Sequence, residues 1–363
     1  MASLAPLPAR PLLRRRAACV NGFASHLADF RRGVQPWGRY GARDGQQPLA
    51  LFREACNAPV IKRSPGELRG QGMTHRHCAV WTPPLRRERP VLVAVPHAGR
   101  VVPAELAREL EAGVPVDALS DPFVDLFACG APPRGVGVLT ARLVRSYLDL
   151  NRSPFAFDRH VCAGPLPTYA EPEDPRVRAG LGVVPRLAGH HLPLRRAPLA
   201  REQILVRLAR HHLGYHRRLA RQLARLRDRH GAALLIDLHS MPAIPGCKPF
   251  PDIVVSDAEG TSCDPLIREA VADFFRLRGL RVAINTPFAG GYTIRRHAVP
   301  GTGLHALQIE CARSHYLTDD GRPHAGFFTL MRLYDAFWDW LAEEAPALLK
   351  MVQGLDAGRL AAE

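Results

Sequence analysis

Asp237 and His239 stand two residues apart in LLIDLHSMP (234–242), where a short apolar run leads into an acid and an imidazole. Side chains at i and i+2 of a strand share one face, so both would enter one site. Taken alone, the pair also fits a capped strand end with a surface histidine. Polar residues close other apolar runs in the same way. His97 follows PVLVAVP, Asn151 and Arg152 follow SYLDL, and Glu310 comes late in ALQIE. Each again has a plain reading: His97 as a loop histidine, Glu310 as a charge at a sheet edge, Arg152 as a solvated base. Four apolar runs ending like this point instead to shared chemistry. Two imidazoles and a carboxylate from different strand ends are the ligand set of a catalytic zinc, whose fourth position stays open for water. A further carboxylate, not bound to metal, takes that water's proton. Arg152 offers a bidentate clamp for an anionic group. The reaction suggested is hydrolysis of an amide that carries a carboxylate. Zinc is the expected ion, although a His/carboxylate site also accepts Mn, Co or Fe.

Such a site needs a sheet to hold it. From residue 90 onward strand, loop and helix alternate. Strands are predicted at 90–95, once or twice within 135–151, at 232–240, 251–257, 280–285 and 306–312. Helices are predicted at VPAELAREL, at DPFVDLFACG with Asp121 as a candidate N-cap, over 199–230, over 264–279 and over 326–345. Residues 152–198, rich in Pro, Gly and charge, read as long loops over the sheet. The pattern predicts one three-layer α/β/α domain with a mixed sheet and ligands at the carboxyl ends of its strands. No G-x-G-x-x-G or Walker A signature follows a strand, so nucleotide binding is not expected.

Composition narrows the class further. The chain has 363 residues, 47% of them apolar, and no apolar run of the roughly 18 residues that span a bilayer. No membrane partner is expected. Eight cysteines without a C-x-x-C fit a reduced, cytoplasmic setting and give neither a disulfide framework nor a cysteine zinc site. Of the net charge of +15, +8 belongs to residues 1–72. That stretch is read as a basic extension, disordered or preceding the true start at Met73. The catalytic domain is expected over 73–350, with a tail over 351–363. Arginines in 207–231 alternate with Leu and Ala at helical spacing and read as a solvated helix face. No aromatic platform interleaves them, so nucleic acid is not expected as the main partner.

Several motifs, in order, resemble the N-formylglutamate amidohydrolase family over about 88–342. They are VPHAGRVVP (95–103), DPFVDLF (121–127), VRSYLDLNRSP (144–154), GYH (214–216), LLIDLHSMP (234–242), DAEGTSCDP (257–265) and NTPFAGGYTIRRHAVPGTGLHALQIECARSHY (285–316). The family is similar to the zinc carboxypeptidases, which implies a zinc-peptidase-like fold and a cytoplasmic enzyme of histidine breakdown. It implies metal-dependent release of formate from N-formyl-L-glutamate or a similar small anionic N-acyl amino acid. It further implies His97, Asp121 and His239 as metal ligands, with Asp237 and Ser240 supporting them from behind. Glu310 would be the base, and Arg145 and Arg295 or Arg296 would be available for a side-chain carboxylate of the substrate or for the developing oxyanion. Asn151, Arg152, Tyr292, Arg295 and Arg296 would bind substrate. Ala98 stands where the family usually has serine, so another acyl-amino acid remains an alternative substrate. A basic binding protein on an inactive scaffold is the alternative outside enzymes.

Overall fold

The computed structural model describes residues 78–360 apart from 189–191, 245 and 248. The expected extension over 1–72 therefore lies outside the described residues. Seven strands form the main sheet: β1 (Ala79–Thr82), β2 (Val91–Val95), β3 (Gly137–Ala141), β4 (Ala233–Met241), β5 (Ile253–Ser256), β6 (Val282–Ile284) and β7 (Leu304–Ala312). Their order is β1-β3-β2-β4-β7-β5-β6. The central β3, β2, β4 and β7 are parallel to one another, whereas β1 runs against β3 and β5 against β7. The sheet is mixed, as the alternation of elements predicts.

Residue period sorts the two faces. Val91, Val93, Val95, Leu234, Ile236, Leu238, Leu307 and Ile309 enter one core. It is shared with Phe274 and Phe275 of the helix Pro265–Arg276 and with Phe337 and Trp338 of the long helix Gly326–Leu360. Leu92, Ala94, Ala233, Leu235 and Ala306 enter the other core, with Tyr215, Leu219 and Leu223 of the helix Leu213–His230. Helices thus cover both faces, and strands buried on both sides read as continuous apolar runs. Among the described residues no helix is long and apolar enough to cross a membrane.

Several boundaries differ from the sequence expectation. β4 and β7 pair in unbroken register from Leu304↔Ala233 to Ala312↔Met241, so β7 begins two residues earlier than expected, with Asp237, His239 and Glu310 inside the ladder as the predicted strands have them. Only β3 forms within 135–151. The predicted helix over 199–230 is interrupted by a π turn, Leu208–His212. The last helix passes through Pro346 to Leu360 rather than ending at 345. A proline inside a helix costs about 3 kcal/mol, but Leu348, Leu349 and Val352 beyond it stay 3% exposed or less. Their continuing burial offsets the lost hydrogen bond.

Candidate metal centre and its cationic flank

The chain leaves β2 toward β3 on one side, while β4 leads toward β7 on the other. The carboxyl ends of β2 and β4 therefore flank the switch point at which an open α/β sheet binds its ligands. His97 stands two residues beyond β2, and His239 lies near the end of β4. Gly99 makes that turn: a Cβ there would lie 2.1 Å from the Leu143 carbonyl oxygen, so only glycine fits.

His97, Asp121 and His239, all buried, place their ligand atoms within 4.8 Å of one another. Asp121 Oδ2 lies 3.0 Å from His239 Nδ1 and 3.5 Å from His97 Nδ1. Ligands bound tetrahedrally at about 2.0–2.1 Å stand roughly 3.3 Å apart, so the separations fit one small divalent cation. The opposite ring nitrogens are already engaged. His97 Nε2 donates to Asp149 Oδ1 at 2.7 Å, and His239 Nε2 to Asp237 Oδ2 at 3.0 Å. With Nε2–H spent on a carboxylate, each Nδ1 lone pair faces Asp121, the arrangement that orients metal-binding imidazoles. Two lone pairs facing a carboxylate repel unless a proton or cation lies between them. The donor set fits a metal.

Asp121 reaches this point by its own supports. Its backbone N–H donates to the His97 carbonyl at 3.0 Å. Arg313 Nη2 donates to its Oδ1 at 2.9 Å, and the Ser240 N–H approaches its Oδ2 at 3.4 Å. The Ser240 hydroxyl meets Tyr316 and Arg313. Asp121 is not a helix cap: the helix Val124–Phe127 begins after Phe123, which makes no side-chain cap bond. Burial opposes ionisation of Asp121, but where the two imidazoles also carry a proton on Nδ1, hydrogen bonds from His239 and His97 and their charges outweigh it and hold the carboxyl well below its usual range. Asp149 is likewise held low against its burial by the charges of Arg145, His97 and Arg152.

Glu310 pairs in register with His239, and Gln308 with Asp237. All four side chains share the sheet face, so the polar patch spans two adjacent strands. Gln308 Nε2 donates to Glu310 Oε1 at 2.8 Å, and burial pushes the Glu310 carboxyl up to about 7. Arg313, three residues further along the chain, pairs with Asp121 rather than with Glu310.

The strip after SYLDL lies against this patch. Asn151 Nδ2 approaches Asp237 Oδ2 and His239 Nε2, both at 3.1 Å. Because His239 Nε2–H already donates to Asp237, the Asn151 amide donates to that carboxylate and braces the candidate ligand His239 through it. Arg145 Nε donates to Asp149 Oδ2 at 2.7 Å. Arg152 is held by two backbone carbonyls, Leu181 and Asn151, each at 2.9 Å, and only approaches Asp149 at 3.9 Å. Burial lowers its guanidinium to about 10. Tyr292 lies apart from the three ligands, against His212 and His216, and Arg295 and Arg296 are exposed on the same short helix, Tyr292–His297.

Sequence reasoning missed three contributors. Asp149 and Gln308 each stand two residues before a residue already singled out, so strand or turn period could have found them. Arg313, three residues past Glu310, gave only the signal of an ion-pair partner.

An α/β sheet with a buried His/Asp/His triad that could hold a metal ion at its switch point defines the class. Residues 89–317 match the N-formylglutamate amidohydrolase family. The N-formylglutamate deformylase of Pseudomonas putida is 30% identical over 243 residues, covering 63% of this chain and 82% of the relative. That of Pseudomonas aeruginosa is 31% identical over 250 residues, covering 65% and 85%. The crystal structure of N-formylglutamate amidohydrolase from Ralstonia eutropha JMP134 superposes with a TM-score of 0.68 at 28% identity, covering 73% of this chain and 97% of that one. The chain belongs to the N-formylglutamate amidohydrolase family and is a hydrolase.

Proposed function

We propose that the protein hydrolyses the formyl amide of N-formyl-L-glutamate, or a similar acidic N-formyl amino acid, to formate and the free amino acid. The observation that carries this reading is the register of Glu310 with His239, which sets an unligated carboxylate beside the metal-binding triad. His97, Asp121 and His239 hold the divalent cation, zinc first among those their donor set accepts. When bound, such an ion polarises the amide carbonyl and acidifies a water at neutral pH. Glu310 accepts the proton of the attacking water and returns it to the leaving nitrogen, which cannot depart as an amide anion. Arg145, anchored by Asp149, faces the charge that grows on the carbonyl oxygen. Arg152 takes the α-carboxylate with the donor that its two backbone carbonyls leave free.

Metal analysis of the purified protein, together with a formate-release assay across N-formyl amino acids, tests the proposal. Stoichiometric divalent metal and fastest turnover of N-formyl-L-glutamate are expected. Formate release that survives complete chelation would remove the metal from the mechanism. No release from any N-formyl amino acid would remove the activity.

A further inference from the structure

Arg152 has a companion that sequence reading passed over. The short helix Pro175–Arg178 starts at Asp174, whose carboxylate caps the Arg176 N–H at 2.7 Å. The chain then turns so that the Leu181 N–H donates to the Arg176 carbonyl at 2.8 Å, while the Leu181 carbonyl receives Arg152 Nε at 2.9 Å. One residue, Leu181, thereby ties the two arginines together. Arg176 Nη2 donates to the Gly290 carbonyl at 2.7 Å. The next residue, Gly291, packs so closely on Asn151 that a Cβ would lie 2.3 Å from its Nδ2, and its N–H is bound by Gln308 at 2.7 Å. Arg176 is therefore held at the corner where Asn151, Gln308 and Arg152 meet, beside the candidate metal centre.

Its charge is not spent there. The partner of its guanidinium is a neutral carbonyl, and among the described residues Arg176 forms no ion pair. Burial draws its pKa below the usual value, against the attraction of the Asp174 and Asp149 carboxylates and with the like charges of Arg295 and Arg145. A half-buried guanidinium satisfied only by a carbonyl is poised for an anion. It also discriminates: a neutral group arriving at a desolvated charge leaves that charge unpaired, and a site built this way rejects the neutral analogue strongly. Arg295 and Arg296 are less suited to this task, because exposed ion pairs contribute little.

We propose that Arg176 receives the second carboxylate of the substrate, so that the enzyme selects dicarboxylic N-formyl amino acids. The proposal rests on the reading in which Arg152 takes the α-carboxylate.

The test compares N-formyl-L-glutamate with N-formyl-L-glutamine, which differ only in the distal charge. In Arg176→Gln the preference for the glutamate compound, as a ratio of kcat/KM, should fall by about 10- to 100-fold, mostly through KM. Arg176→Lys, which keeps the charge without the fork, should retain part of the preference. Arg152→Gln should slow both substrates alike and leave their ratio in place. An unchanged ratio in Arg176→Gln, or its loss in Arg152→Gln instead, overturns the assignment. Calorimetric titration with L-glutamate and L-glutamine separates this failure from failure of the deformylase reading, because it needs no turnover. Native protein should bind glutamate more tightly, and Arg176→Gln should bind the two equally. A native protein that does not distinguish them refutes the role of Arg176 whatever the assay of formate shows.

Discussion

Glu310 stands directly across the β4–β7 ladder from His239, in a pair of strands whose register is unbroken over nine residues on each side. Such a ladder cannot slip by one residue without turning every polar side chain to the opposite face. The distance between the candidate base and the metal ligand is therefore set by backbone hydrogen bonds rather than by loop geometry.

The first prediction follows from that pairing. Glutamine at position 310 keeps the size of the side chain and its contact with Gln308, but accepts no proton at neutral pH. Glu310→Gln should retain its bound metal and its melting temperature, while kcat falls by about 10²–10⁴-fold. Loss of metal together with activity would make Glu310 a ligand, and near-normal turnover would leave it without a chemical role.

Removal of a ligand should act differently. In His239→Ala, Asp121 keeps only one imidazole, and both bound metal and turnover should vanish. The acids behind the imidazoles should give a graded effect. Asp149→Asn and Asp237→Asn preserve shape but weaken the acceptor for Nε2–H, and each should lower metal affinity by about 10–100-fold. Competition with a metallochromic chelator reads this directly. Unchanged affinity in both variants would mean that the two acids do not support the metal.

Much of this arrangement was legible in the chain, and the reasons are local. Period two in LLIDLHSMP places Asp237 and His239 on one face whatever the partner strand, and that face is where they are found. The same rule applied to ALQIE would have joined Gln308 to Glu310. The ends of β4 and β7 were legible to within a residue, whereas the start of β7 was not, because Leu304 and His305 join the strand through their pairing with Ala233 and Leu234. Asp121 looked like a helix cap because an acid before a helical run is the usual cap signal. Its carboxylate faces the two imidazoles only because the turn after β2 brings the His97 carbonyl to its N–H. Arg176 was invisible for a related reason. Its position depends on Leu181 and Gly290, which have no pattern linking them to Arg152.

Glycine at position 291 leads to the third prediction. Its backbone lies against Asn151, which in turn approaches both Asp237 and His239. Gly291→Ala forces the new methyl into the Asn151 amide, and overpacking of this kind costs about 1–3 kcal/mol. Thermal melts should record that loss. Metal affinity should drop with it, because a displaced Asn151 no longer steadies the Asp237 carboxylate that orients His239. A variant with native stability and native affinity would show that the contact is relaxed without consequence.

The final prediction concerns two histidines that touch neither metal nor substrate in the proposed scheme. His216 Nε2–H donates to the Leu150 carbonyl at 2.9 Å, so its Nδ1 must accept, and His297 Nε2 lies 2.9 Å from it. The two rings stack with centroids 5.2 Å apart. This pairing works with both rings neutral. Burial, then Arg296 and His212, lowers His297 to about 4, and burial with the charges of His212, His297 and Arg296 holds His216 well below its usual range despite the Leu150 carbonyl. In the unfolded chain each titrates near 6.5. The unfolded state therefore binds more protons between about pH 6.5 and 4, and stability must fall as pH falls through that window. Above about pH 6.5 both states are neutral and this contribution is present in full. For His297 alone the loss by pH 4 is about 3 kcal/mol. Urea midpoints between pH 4.5 and 7.5 should drop more steeply for the native protein than for His297→Gln, which keeps a donor toward His216 but cannot be protonated. Measuring both proteins after chelation keeps bound metal out of the comparison. Parallel pH profiles would mean that His297 is already protonated in the fold and that the stacked pair tolerates its charge.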